Sequence, residues 1–133
     1  MMVLVDTSVW SLALRRRQTD SVAEAQELAR LINDMRVQLI GPIRQEILSG
    51  IKSEAHYRAL REQLRAFPDL PLNSDDFEYA AELFNIARAR GIQGSNTDFL
   101  ICAVAIRHAM TIFTTDNDFR RFSNHIPIKL YEL

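Results

Sequence analysis

A chain of 133 residues, 47% hydrophobic and 25% charged, has room for one buried core and excludes a disordered tail. Its 16 Lys and Arg against 17 Asp and Glu leave a formal net charge of −1, so overall charge selects neither nucleic acid nor a membrane as partner. The single cysteine, Cys102, excludes an internal disulfide and a thiolate zinc site and fits a reducing compartment, while no apolar run approaches the roughly 20 residues of a membrane span.

In chain order, residues 2–6 are an apolar, partly β-branched run ended by Asp6-Thr7-Ser8, which predicts a short buried strand. No basic segment precedes it and an acid follows at once, so it does not read as a signal peptide, and one cytoplasmic domain over residues 1–133 is expected. Thr7-Ser8 suit the start of a helix through about Leu14, and Arg15-Arg16-Arg17 follow where a helix C-terminus favours cations. Asp20 or Ser21 caps a second helix whose Val22, Ala25, Ala29 and Ile32 make one apolar stripe.

Residues 37–40 predict a second strand, and Gly41-Pro42 turn into a helix carrying Ile43, Ile47 and Leu48 that ends at Gly50. Ser53 starts a helix with Tyr57, Leu60, Leu64 and Phe67 at helical spacing. Residues 67–72 contain Pro68 and Pro71 and suit only an edge strand. Asn73 or Ser74 caps a helix to about Arg90 whose buried face is Phe77, Ala80, Phe84 and Ala87. Asn96 or Thr97 caps a helix to about Ala109, apolar nearly all round from Phe99 to Ile106 and therefore central. A strand over 111–115, a short helix near 117–122 and a strand over 128–131 follow.

Short apolar strands alternating with helices predict an α/β fold with a mainly parallel sheet covered on both faces. In such a sheet the strand C-termini and the N-termini of the following helices share one edge, and ligands bind there. Asp6 and Asp116 close strands, while Glu46 and Asp98 are expected in the first turns of their helices, so all four acids are expected on that rim. Two carboxylates about 5 Å apart repel by roughly 3 kcal/mol at an effective dielectric near 20. Four together would consume a large share of a domain's ~5–15 kcal/mol stability unless protons or a cation intervene. Mg²⁺ or Mn²⁺ suits such a group because hard cations take oxygen ligands, and such ions serve phosphodiester hydrolysis. Taken singly, each acid also reads as a turn, cap or helix-dipole residue.

The motifs Val3-Leu4-Val5-Asp6-Thr7-Ser8, the Glu46 helix, Asn96-Thr97-Asp98 and Thr114-Thr115-Asp116-Asn117-Asp118-Phe119, in that order, resemble a PIN domain. The compact length resembles the VapC toxins of toxin–antitoxin pairs. The resemblance implies a three-layer α/β/α sandwich with a central, mainly parallel five-stranded sheet. It also implies an Mg²⁺-dependent endoribonuclease, with Mn²⁺ as a substitute, that hydrolyses RNA with activated water and leaves a 5′-phosphate and a 3′-hydroxyl. Motif by motif, Asp6, Glu46, Asp98 and Asp116 match the family's acidic quartet. Asp6 and Asp98 match direct metal ligands, Asp116 joins directly or through water, and Glu46 orients a water or helps hold a second ion. Ser8 and Thr114 match hydroxyls that orient the acids, and Asp118 matches a further acid that either reaches the metal or caps the short helix. Expected partners are an RNA such as tRNA or ribosomal RNA, a VapB-type antitoxin over the acidic rim, and a second copy, giving a homodimer and a heterotetramer or larger with antitoxin. Leu12, Leu60 and Leu64 are candidate surfaces for these, and no membrane partner is expected.

Among other residues, Arg15-Arg16-Arg17, Arg44 and Lys52 are candidate phosphate contacts. Arg58, Arg61 and Arg65 read as an exposed face, Trp10 as core rather than a base-stacking platform, and His56, His108 and His125 as scattered. Two other functions compete. A phosphoacceptor receiver domain needs an adjacent acidic pair after the first strand, where this chain has Asp6-Thr7-Ser8, and a Lys after the last, where Lys129 lies inside the strand. A non-catalytic PIN-fold RNA-binding or assembly module does not require the four acids that this chain carries.

Overall fold

Val3, Leu4 and Val5 are wholly buried and form β1 (Val3–Val5), the middle strand of the sheet, in this computed structural model, which describes residues 1–14 and 22–133. The expected Arg15-Arg16-Arg17 helix end and the Asp20 or Ser21 cap lie outside the described residues. β1 pairs in parallel with β2 (Val37–Gln38) on one side and β3 (Thr111–Phe113) on the other, with Val3 opposite Val37 and Thr111. Among the described residues three strands therefore stand where five are expected. The two outer ones shrink to single parallel bridges, Leu39 to Asp69 and Ile112 to Leu130. Leu70 donates to the Leu39 carbonyl at 2.9 Å, but Pro68 and Pro71 on either side have no N–H to extend the ladder. At the other edge the Ile128 N–H turns back to the Ile126 carbonyl at 2.8 Å and is lost to pairing.

The helices α1 (Thr7–Leu14), α2 (Ala23–Asn33), α3 (Gly41–Leu48), α4 (Glu54–Leu64), α5 (Ser74–Ala89), α6 (Asn96–Arg107) and α7 (Asp118–Phe122) surround this sheet. Every residue of α6 from Phe99 to Ala105 is buried, as its continuous apolar run predicts for a central helix. Trp10 is a core residue, packed edge-on against Phe67 with ring centroids 5.4 Å apart. Ser53 caps α4 by accepting from the His56 N–H.

Several expectations about helix faces are corrected. Leu28 and Leu31 form the buried face of α2, and Ala29 is exposed. Phe77 is 52% exposed, while Ala80, Leu83 and Ala87 face the core. Leu60 and Leu64 are 3% and 1% exposed, so neither is a partner surface. Arg44 is no free phosphate ligand: its guanidinium donates to Asp69 and to the carbonyls of Leu64 and Phe67, tying α3 to the chain after α4.

One charged cluster was not foreseen. Asp76 is fully buried and closes a capping box with Asn73 at the start of α5. Its carboxylate also accepts from Arg107 Nη1 at 2.5 Å and lies 3.2 Å from His108 Nε2, at the end of α6. The cluster clamps the first turn of α5 to the last turn of α6.

Gly94 sits just before α6, where a Cβ would come within 2.6 Å of Phe122 Cζ and 2.9 Å of Phe99 Cε2. These two rings, with centroids 4.8 Å apart, wedge the start of α6 against α7. Gly94→Ala is expected to lower stability by about 1–3 kcal/mol, the usual cost of overpacking, read as a lower urea midpoint.

Candidate metal centre and active site

β1 ends at Val5, and the next residue, Asp6, hands the chain to α1: its carbonyl accepts from the N–H groups of Val9 and Trp10. Asp6 as a residue is only 7% exposed, which for a lone acid demands compensation. Compensation comes from hydroxyls rather than cations. Asp6 Oδ2 accepts from Ser8 Oγ and from Thr114 Oγ1, both at 2.8 Å. The two hydroxyls are 3.2 Å apart, and Ser8 Oγ also accepts from the Thr115 N–H at 3.0 Å. Ser8 and Thr114 thus lock the end of β1 to the chain leaving β3, and Asp6 is oriented by both.

Asp116 lies two residues beyond Thr114 and is held to it, since its N–H donates to Thr114 Oγ1 at 3.0 Å. Its Oδ1 accepts from the Asp118 N–H, which starts α7. Asp118 itself faces the other way along its helix, accepting from Arg121 at 2.9 Å.

Asp98 enters at the third residue of α6. The cap is Ser95, one residue before those expected: Ser95 Oγ accepts from the Asp98 N–H at 3.0 Å, and Asp98 Oδ2 accepts from the Ser95 N–H at 3.1 Å. Burial pushes the Asp98 carboxyl above the ordinary carboxylate range; the Ser95 bonds oppose this, and the negative charges of Asp116 and Asp6 reinforce it. Asp6 and Asp116 therefore lie near enough to Asp98 for their charges to be felt there, as repulsion. Negative charge also reaches Cys102, one turn along α6, whose thiol is pushed up by burial and then by Asp98 and Asp6.

Glu46 differs from expectation. α3 begins at Gly41, so Glu46 stands in its second turn rather than its first. It nonetheless reaches the neighbourhood of Asp6, because Thr7 Oγ1 donates to Glu46 Oε1 at 2.6 Å. From the sequence alone Thr7 reads only as a helix starter. The usable signal was its place beside the strand-closing acid.

The donor set suits a hard, hydrated divalent ion. All four acids offer carboxylate oxygens, and among the described residues none of Asp6, Glu46, Asp98 or Asp116 forms an ion pair with Lys or Arg. Uncompensated negative charge with hydroxyl-fixed orientation is what such a cation neutralises. Among the described residues no three acidic, His or Cys side chains converge into a finished chelate.

Beside Asp116 a cleft of about 370 Å³ opens, lined by Thr115, Asn117, Arg120, Tyr131 and Glu132 among others. Arg120 is loosely held, with one 3.4 Å contact to Glu132. The Tyr131 hydroxyl is committed to Glu27, which Arg30 also contacts; these two bonds bring the Glu27 carboxyl down to about 2.

The sequence profile of the PIN domain family matches residues 3–124. Ribonuclease VapC11 of Mycobacterium tuberculosis and a VapC ribonuclease of Mycobacterium bovis are each 37% identical over 122 residues, spanning 89% of this chain and 89% of theirs. Among solved structures, VapBC2 from Rickettsia felis, bound to a DNA fragment from its promoter, superposes with a TM-score of 0.78 at 19% identity, covering 99% of this chain and 100% of that one. FitAcB from Neisseria gonorrhoeae superposes with a TM-score of 0.75 at 19% identity, covering 98% and 97%. At that identity these likenesses concern the fold.

Proposed function

We infer that this chain, which belongs to the PIN domain family, is an endoribonuclease toxin of the VapC kind, dependent on Mg²⁺ or Mn²⁺ and silenced by a VapB-type antitoxin. The observation that carries the metal-dependent reading is that Asp6 and Asp116, 110 positions apart in sequence, are both tied to Thr114 and have no Lys or Arg partner among the described residues. A bound divalent ion would neutralise charge developing on a phosphodiester and lower the pKa of water. Asp6 and Asp98 would hold it directly, with Asp116 joining directly or through water. Ser8 and Thr114 keep Asp6 fixed, so that little reorganisation is needed when RNA arrives. Glu46, exposed on the rim, would orient the attacking water or help hold a second ion, and the products carry a 5′-phosphate and a 3′-hydroxyl. No side chain serves as covalent nucleophile. The Asp118–Arg121 pair favours reading Asp118 as the opening of α7 rather than a ligand.

The cleft beside Asp116 accommodates the RNA chain next to the cut, with Arg120 meeting a phosphate. Arg120→Ala is expected to raise KM about three- to tenfold with little change in kcat, measured on a short RNA at constant salt. Candidate substrates are tRNA and ribosomal RNA. The assembly we propose is a homodimer that joins the antitoxin in a heterotetramer or larger, within the cytoplasm. Among the described residues no helix is long and apolar enough to cross a membrane. We read residues 1–133 as one domain, and the two single bridges as the remnants of outer strands in a five-position sheet within an α/β/α sandwich.

Cleavage of total RNA by the purified chain, with Mg²⁺ and with excess EDTA, tests this reading. Activity that survives EDTA would remove the metal. Absence of any cleavage under all metal conditions would favour the non-catalytic RNA-binding or assembly module.

A further inference from the structure

Glu46 is the one rim acid carried by neither a strand end nor a helix start, and its place must be fixed by something other than the backbone. α3 contributes it from the second turn, with an exposed, three-torsion side chain that is free to sample several rotamers. The only side-chain hydrogen bond to it among the described residues comes from Thr7 Oγ1, at 2.6 Å across 39 residues of sequence.

We propose that Thr7 is a positioning residue that sets the rotamer of Glu46 relative to Asp6. Thr7 and Ser8 are successive residues at the start of α1, and they serve different acids: Ser8 Oγ donates to Asp6, and Thr7 Oγ1 donates to Glu46. The first turn of α1 is thereby a jig for two carboxylates at once. Thr7 engages one oxygen of Glu46 and leaves Oε2 for a water or a cation. A β-branched residue suits this task, because its χ1 is stiff and its methyl group restricts the hydroxyl to few directions.

The inference rests on the ribonuclease reading, and its test separates the two. The whole chain is purified as wild type, Thr7→Val, Thr7→Ser, Glu46→Gln, the Thr7→Val/Glu46→Gln double variant and Asp6→Asn. Thr7→Val keeps the shape and removes the donor. It is expected to lower kcat about five- to tenfold, the order of a lost hydrogen bond to a charged group at a wet site, with KM unchanged. Thr7→Ser should recover kcat to within about twofold. In the Glu46→Gln background Thr7→Val should have no further effect, because its action passes through Glu46. Binding of Mn²⁺ alone, followed by electron paramagnetic resonance, should weaken in Thr7→Val and recover in Thr7→Ser. Wild-type kcat and Mn²⁺ affinity in Thr7→Val, or an equal loss of kcat with Glu46 already changed, would overturn the inference while leaving the nuclease reading intact. An Asp6→Asn variant as active as wild type would instead overturn the nuclease reading.

Discussion

Asp6→Asn and Asp98→Asn are each expected to reduce RNA cleavage at least about a thousandfold, the equivalent of roughly 4 kcal/mol of transition-state stabilisation. The two substitutions act on different parts of the same charge group. At Asp6 the amide retains an oxygen that can accept from Ser8 and Thr114, so the local geometry survives while the negative charge is lost. At Asp98 the amide can keep the capping box with Ser95, again leaving the backbone undisturbed. Neither change should unfold the chain. Asp98 is ionised at the expense of folding, because its carboxyl titrates above the ordinary range in the folded state. Such a group favours the fold below the unfolded pKa and loses that contribution as pH rises through the folded pKa. Asp98→Asn removes that loss, so the metal-free variant should melt at or above the wild-type temperature near neutral pH. Saturating Mg²⁺ should then stabilise the wild type more than either variant. Full cleavage by either variant would defeat the metal-centre reading.

The second large effect is one of stability. Arg107→Ala is expected to destabilise the fold by about 2–4 kcal/mol, because it strips the principal cation from the buried Asp76 and leaves it with His108 and the capping-box amide. Burial alone would raise the Asp76 carboxyl, but the Asn73 N–H, Arg107 and His108 outweigh it and hold the group below the ordinary carboxylate range. Stability from a depressed carboxyl is present above its unfolded pKa, near 3.9, and is lost as pH falls through the folded value. Urea unfolding of wild type and variant should therefore differ most near neutral pH and converge in strong acid. The cluster lies about nine residues along α6 from Asp98, roughly 14 Å, so cleavage per folded molecule should be unaffected. A midpoint unchanged at pH 7 would show that the cluster contributes nothing.

How much of this was legible in the sequence varies by element, for physical reasons. Asp6, Asp98 and Asp116 could be placed because each is tied to a boundary that the chain marks strongly: an apolar run ending, or a helix starting. Glu46 was placed one turn too early because the Gly41-Pro42 turn is itself the start of α3. Phe77 and Ala29 were assigned to buried faces because periodicity fixes spacing but not phase, and a shift of one residue rotates a helix by about 100°. The outer positions of the expected five-stranded sheet show only as single parallel bridges, because strand formation there depends on which N–H groups are free. The Asp76 cluster left no signal, since an acid in a capping box and a basic pair ending another helix each look complete alone.

The hydroxyl clasp between Ser8 and Thr114 spans 106 residues, and the Asp6–Thr114 bond spans 108. A ribosome making this chain must therefore reach Thr114 before Asp6 acquires its second hydroxyl donor, and Asp116, beyond β3, before it acquires that acidic neighbour. Nascent fragments that stop earlier lack those groups, so any RNA-cutting capacity would arise only after residue 116 has been made.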